Sequence, residues 1–106
     1  MHKIITINNY PAGRMEYAIA TDELQILDVY VQPEYRRQGL AENALRELLR
    51  ENPPLNNAYL EVRASNQAAL NLYLKLGFTK TGLRKDYYNN PIEDAVLLHK
   101  ELTRAV

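Results

Sequence analysis

Tyr35-Arg36-Arg37-Gln38-Gly39-Leu40-Ala41-Glu42-Asn43-Ala44-Leu45-Arg46-Glu47-Leu48-Leu49 is the stretch on which the reading of this chain turns. It joins an apolar strand ending in Val29-Tyr30-Val31 to an amphipathic helix through a basic turn that holds one glycine. Leu40, Ala41, Ala44, Leu45, Leu48 and Leu49 recur at helical spacing and give the helix, expected over 38–51, one buried face. A turn of this kind gathers main-chain N–H groups at a helix start, where the dipole adds a positive end, and a glycine lets the main chain come close to a ligand. The expected ligand is therefore an anion, a phosphate above all. Spacing alone leaves a second possibility open, a solvated basic turn that only caps the helix.

Outward from this stretch the pattern alternates between strand and helix. Residues 2–8 are rich in β-formers and end at a turn expected over 9–13, Asn-Tyr-Pro-Ala-Gly. Residues 14–20 alternate and read as a second strand, turning at Thr21-Asp22-Glu23. Residues 24–31 read as a third, more buried strand, stopped by Pro33. Asn52-Pro53-Pro54 is expected to end the first helix. Residues 58–63 alternate, with Ala58, Leu60 and Val62 on one face and Tyr59, Glu61 and Arg63 on the other. A second helix starts at Ser65 or Asn66, either a good N-cap, and runs through Ala69, Leu72, Tyr73 and Leu76 to Gly77. Residues 78–88 and 94–102 form a hairpin around Asn89-Asn90-Pro91. The order β-β-β-α-β-α-β-β requires at least one parallel crossover in a mostly antiparallel sheet.

A length of 106 residues is that of one domain, 1–106, and 46% apolar with 25% charged residues is ordinary for a soluble globular chain. Lys and Arg number 13, as do Asp and Glu, so the net charge is zero and nothing favours general attachment to nucleic acid or an anionic membrane. The chain has no cysteine, which excludes disulfides, a thiol nucleophile and zinc–thiolate sites. No apolar run approaches a signal peptide or a membrane span, and a cytoplasmic protein is expected. His2 and His99 have no ligand spacing, so no metal is expected; His99 reads as structural.

Order and motifs together resemble one family. Arg36-Arg37-Gln38-Gly39-Leu40-Ala41 is similar to the acyl-CoA-binding motif of the Gcn5-related N-acetyltransferase (GNAT) superfamily, Gln/Arg-x-x-Gly-x-Gly/Ala. Leu60-Glu61-Val62-Arg63-Ala64-Ser65-Asn66-Gln67-Ala68-Ala69 and Leu72-Tyr73-Leu74-Lys75-Leu76-Gly77-Phe78 resemble its second half. The wording is closest to the ribosomal-protein alanine N-acetyltransferases, as are Arg84-Lys85-Asp86-Tyr87-Tyr88 and Glu93-Asp94-Ala95. The resemblance spans roughly residues 24–102.

It implies an α/β fold with a twisted mixed sheet and direct transfer of acetyl from acetyl-CoA to a primary amine, with a protein N-terminal α-amine as the first expectation. A lysine or small-amine acceptor is the alternative, and a non-catalytic acetyl-CoA-binding partner subunit is another. The family ordinarily begins with a strand and two helices ahead of the hairpin that starts here near His2, so the chain reads as a shortened form. The uncovered sheet edge is expected to drive formation of a homodimer or hetero-complex.

Site residues follow from the resemblance. Main-chain N–H groups of Arg37, Gln38, Gly39, Leu40, Ala41 and Glu42, with the charges of Arg36 and Arg37, are expected at the pyrophosphate. The Glu42 carboxylate suits the helix dipole but repels a phosphate, which lowers the expected affinity. Main-chain groups of Val29, Tyr30 and Val31 are implied for the thioester carbonyl and the pantetheine arm, with Asn66 both capping its helix and bonding the arm. Glu61 occupies the general-base position and acts through a water; the alternative is an ion pair with Arg63 on the same strand face. Tyr73 matches the tyrosine that protonates the departing thiolate, and core packing beside Ala69 and Leu76 is its alternative. Tyr87 and Tyr88 belong either to the acceptor groove or to an ordinary hairpin.

Overall fold

In a computed structural model, which describes residues 1–51 and 55–102, the chain runs β1 (His2–Ile7), β2 (Tyr10–Ala20), β3 (Glu23–Val31), a 3-10 turn (Pro33–Tyr35), α1 (Leu40–Glu51), β4 (Asn57–Arg63), α2 (Gln67–Lys75), β5 (Thr79–Tyr88) and β6 (Glu93–Glu101). The element order is the one the sequence leads one to expect. The Asn52-Pro53-Pro54 stop lies outside the described residues. No helix among the described residues is long and apolar enough to cross a membrane.

The six strands form one sheet in the order β1-β2-β3-β4-β6-β5. Neighbours are antiparallel except β3 and β4, which run parallel on either side of the α1 crossover. Both helices pack on one face. Ala58, Leu60 and Val62 of β4 are buried beneath Leu45 and Leu48 of α1 and Tyr73 and Leu76 of α2, with Phe78, Met15 and Leu98 completing the core. Each of the leucine, valine, methionine and phenylalanine side chains among these contributes roughly 1.5–3 kcal/mol when fully buried. Tyr59, Glu61 and Arg63 alternate onto the other face and stay partly open.

Two irregularities in the first half of the sheet depart from the expected strands. The first turn is Asn8-Asn9, both with positive φ (49° and 69°), and β2 already begins at Tyr10. Two left-handed asparagines make the tight primed turn that the twist of a hairpin prefers. Pro11 and Gly13, which read as turn residues, therefore lie in the strand. Pro11 sits at a register shift where Ala12 is the surplus residue, and Gly13 is required because a Cβ there would lie 2.1 Å from the Tyr30 carbonyl oxygen.

The second irregularity is in β3. Glu16 pairs with Asp28 and Tyr17 with Ile26, so Leu27 is surplus and 59% exposed. The bulge shifts the inward-facing set from Leu24 and Ile26 to Val29 and Val31, which still pack on the core. It also marks where the sheet divides. β3 pairs with β4 only from Glu23↔Asn57 to Ile26↔Leu60, whereas it stays laddered to β2 as far as Val31. Beyond Ile26 the facing edges of β3 and β4 part.

Candidate active site: two clefts across a divided sheet

α1 begins one residue after Gly39, whose φ of +74° follows a φ of +66° at Arg37. Asn43 N–H closes the first helical bond on the Gly39 carbonyl at 3.0 Å. The N–H groups of Leu40, Ala41 and Glu42 thus stand in the first turn, ahead of any intrahelical acceptor. Gly39 is needed for its left-handed backbone; a Cβ there would meet nothing within 4 Å. The concavity beside the turn is open.

This turn forms one wall of a cleft of about 640 Å³ on the helix face. Val29, Tyr30 and Val31 from the divided part of β3 form a second wall, and Asn66, Ala69, Leu72 and Tyr73 of α2 a third. Arg36, Arg37, Leu40, Ala41 and Glu42 also line it, whereas the exposed Gln38 side chain does not. Asn66 caps α2 by accepting the Ala69 N–H at 3.1 Å. At the far end Gly77 has a φ of 97°, and Phe78 N–H donates to the Tyr73 carbonyl at 3.0 Å, a closed C-terminal turn.

Two charged residues at this cleft are already engaged. Arg36 Nε donates to the Val31 carbonyl at 2.7 Å, and its guanidinium lies 5.5 Å from the centre of the Tyr30 ring. Glu42 receives Lys75 Nζ at 2.9 Å and Arg46 Nη2 at 3.0 Å. Lys75 first, then Arg46, holds the Glu42 carboxyl below the usual carboxylate range. The repulsion expected from Glu42 is thereby largely answered by two cations, and the Lys75 bond ties α2 to the start of α1.

Tyr73 is 6% exposed and packs edge-on against Phe78, with ring centres 5.5 Å apart. The core-packing reading is met by the ring, and the side chain also lines the cleft. Burial, with the Asp28 charge as a smaller contribution, pushes the phenol up to about 12. An unfolded tyrosine titrates near 10, so the folded state holds this proton more tightly. Stability is expected to fall as pH rises from about 10 to about 12, and Tyr73 adds no slope below that window. Comparing urea unfolding of the wild type and Tyr73→Phe across it checks this; equal slopes would show that the phenol is not held protonated.

Glu61 faces the other side of the sheet, in a second cleft of about 560 Å³ that it shares with Tyr59, Arg84, Tyr87 and Tyr88. Its expected alternative partner, Arg63, is not the one observed. Arg84 Nε lies 3.4 Å from Glu61 Oε1, and Arg63 instead pairs with Glu93 at 3.3 Å. β4 twists Arg63 towards the β5–β6 turn, while β5 presents Arg84 to Glu61. The Glu61 side chain stays 30% exposed. A hydrogen bond to Glu61, then its charge, raises the Tyr87 phenol, and burial first raises that of Tyr88. The two rings meet edge-on at 5.0 Å. His99, as expected for a structural residue, stacks on Tyr59 with centres 4.8 Å apart and meets Asn57 Oδ1 at 2.7 Å.

The structure thus gathers the expected cofactor residues other than the Gln38 side chain, together with Tyr73, into one cleft, and Glu61, Tyr87 and Tyr88 into another. Sequence reasoning assigned no role at these clefts to Tyr35, Leu72, Lys75 or Arg84. Leu72, one turn from Ala69 and Ala68 on α2, was recoverable from helical spacing; Arg84 was not, because its approach to Glu61 depends on hairpin register.

Residues 2–78 match the model of the acetyltransferase (GNAT) family. The chain belongs to that family. A ribosomal protein bS18-alanine N-acetyltransferase of Escherichia coli is 39% identical over 98 residues, covering 89% of this chain and 66% of the relative. The chain spans 64% to 66% of the length of such curated relatives. The crystal structure of the ribosomal-protein-S18-alanine N-acetyltransferase from Escherichia coli superimposes with a TM-score of 0.90 at 33% identity, over 100% of this chain and 71% of that one. Arabidopsis thaliana Naa50, solved with the bisubstrate analogue CoA-Ac-MVNAL, gives 0.85 at 25% identity over 93% of this chain and 71% of that one.

Within the GNAT fold the helix-face cleft fits an acyl-CoA. Its turn offers the N–H groups of Leu40, Ala41 and Glu42, which precede the first helical bond, its cradle beside Gly39 is open, and its strand wall has an edge unladdered among the described residues. The exception is the Val31 carbonyl, which already accepts from Arg36.

Proposed function

We propose that this domain transfers the acetyl group of acetyl-CoA to a primary amine, a protein N-terminal α-amine. The observation that carries this reading is the placement of Glu61 and Tyr73 in clefts on opposite faces of the sheet, beside the region where β3 and β4 part. Acetyl-CoA supplies an activated acyl thioester. The N–H groups of the Gly39 turn, with Arg36 and Arg37, hold its diphosphate, and the free edge at Val29 and Tyr30, with Asn66, aligns its arm. Glu61 takes the amine proton through a water from the other face, where Tyr87 and Tyr88 wall the acceptor.

Tyr73 serves this chemistry differently from an ordinary acid. A thiol titrates near 8.5, so a phenol at about 12 keeps its proton against a free thiolate. Its contribution is a hydrogen bond to the negative charge that grows on the leaving sulfur, with solvent completing protonation.

The acceptor class follows from proton availability. At neutral pH about a tenth of α-amines are unprotonated, against fewer than about one lysine in a thousand. A site whose base is a carboxylate is better matched to the former. The relatives' names, which specify alanine N-acetylation of a ribosomal protein, agree with this choice. The test is a mass-spectrometric screen of peptides with free N-termini, N-blocked lysine peptides and polyamines, each with acetyl-CoA. Free α-amines are expected to react at least about tenfold faster than blocked lysine peptides. Lysine or polyamine preference would overturn the acceptor; no product with any amine would overturn the activity.

A further inference from the structure

The wall that carries Tyr87 and Tyr88 is poorly held by its own hairpin. β5 and β6 pair as far as Arg84↔Ala95, with Thr81 surplus at a first register shift, and again only at Tyr88↔Glu93, so Lys85, Asp86 and Tyr87 stand against Asp94 alone. Asp86 has a φ of +52°, and its N–H donates to Asp94 Oδ1 at 2.9 Å. Asn89, Asn90, Pro91 and Ile92 beyond it are exposed. A bulged, exposed tip of this kind needs an external hold to present side chains in one place.

Arg63 of β4 supplies it. Its Nη2 donates to the Asn89 carbonyl at 3.1 Å, and its Nη1 to the Pro91 carbonyl at 3.2 Å and to Glu93 Oε1 at 3.3 Å. Its guanidinium lies 4.4 Å from the centre of the Tyr88 ring. Glu93 carries the connection onward, since its Oε2 accepts the Ser65 N–H at 3.0 Å. Ser65 immediately precedes Asn66, which caps α2 and lines the helix-face cleft. Hydrogen bonds from Ser65, and then from Arg63, hold the Glu93 carboxyl below its usual range.

We infer that Arg63 and Glu93 are positioning residues that lock the acceptor wall to the cofactor-side start of α2, so that filling one cleft organises the other. The inference rests on the acetyl-transfer reading for the identity of the two ligands. The planar fork of Arg63 is essential, because it bonds two carbonyls and a carboxylate while lying over a ring; a lysine ammonium reproduces the charge but not the fork. Coupling of this kind is reciprocal, so acetyl-CoA and the acceptor should each tighten the other by the same factor.

The experiment uses the whole chain with Arg63→Met, Arg63→Lys and Glu93→Gln. Expected in all three is a rise in acceptor KM of about 10- to 100-fold, with acetyl-CoA affinity within about threefold of wild type. Full recovery in Arg63→Lys, or equal loss of affinity for both substrates alongside a large drop in melting temperature, would reduce the pair to a general staple and overturn the inference. Hydrogen exchange gives a readout independent of turnover. Acetyl-CoA should protect residues 86–93 in the wild type and not in Arg63→Met. A wild type whose tip ignores acetyl-CoA overturns the coupling. One that is protected yet acetylates no amine overturns the proposed activity and leaves the coupling standing.

Discussion

Glu61→Gln is expected to cut turnover by about 10²- to 10⁴-fold, the usual worth of a positioned base, with acetyl-CoA affinity unchanged within about twofold. The substitution keeps the size and hydrogen-bonding capacity that faces Tyr87 and Arg84. It removes the negative charge and with it the ability to accept a proton. The Arg84 pair that is lost is exposed and long at 3.4 Å, and such a pair is worth about 0–1 kcal/mol, so the fold should melt almost where wild type does. Steady-state rates with calorimetric titration of acetyl-CoA separate the two quantities. If the Glu61→Gln protein still turned over at the wild-type rate, Glu61 would have no part in the mechanism. Loss of cofactor binding would instead point to damage transmitted through β4. Affinity should persist because Glu61 lies on the sheet face opposite the Gly39 turn and outside the lining of that cleft.

The second large effect is on stability. Phe78 is 2% exposed, follows the Gly77 turn and closes α2 onto the sheet. Phe78→Ala should cost about 3–5 kcal/mol, a large share of the roughly 5–15 kcal/mol that such a domain has in total. For a chain of this size that is a fall in melting temperature of more than about 12 °C, read by calorimetry or urea unfolding. The same change frees the edge of the Tyr73 ring. A loss below about 1 kcal/mol would mean that the α2–sheet contact is not the packed core described.

Much of this architecture was legible because local signals agreed with one another. Apolar spacing in α1, the Asn66 cap, the Gly77 stop and strict alternation in β4 each state their structure within a few residues. The bulge in β3 left only a faint trace. Inward-facing apolar positions change from even to odd between Ile26 and Val29, and the exposed Leu27 disguises the change. Pro11 and Gly13 misled in the opposite direction, because residues that usually break strands are here used inside one, beside a surplus Ala12. The helix-face cleft was readable where side chains or a special φ mark it, whereas its main-chain edge at Val29–Val31 leaves no side-chain signature and came only from the family resemblance. The partners of Glu61 and Arg63 could not be read at all. Both lie more than twenty residues away, and which cation meets which carboxylate is decided by the register of a bulged hairpin.

Entry from two sides has a kinetic corollary. On the proposed transfer, with one reactant in the helix-face cleft and the other in the cleft across the sheet, neither has to leave before its counterpart arrives, and a spent carrier can depart while a modified chain end is still bound. Such a molecule is suited to a ternary encounter with free order of arrival, and saturating it with one reactant would not bar the way to the other.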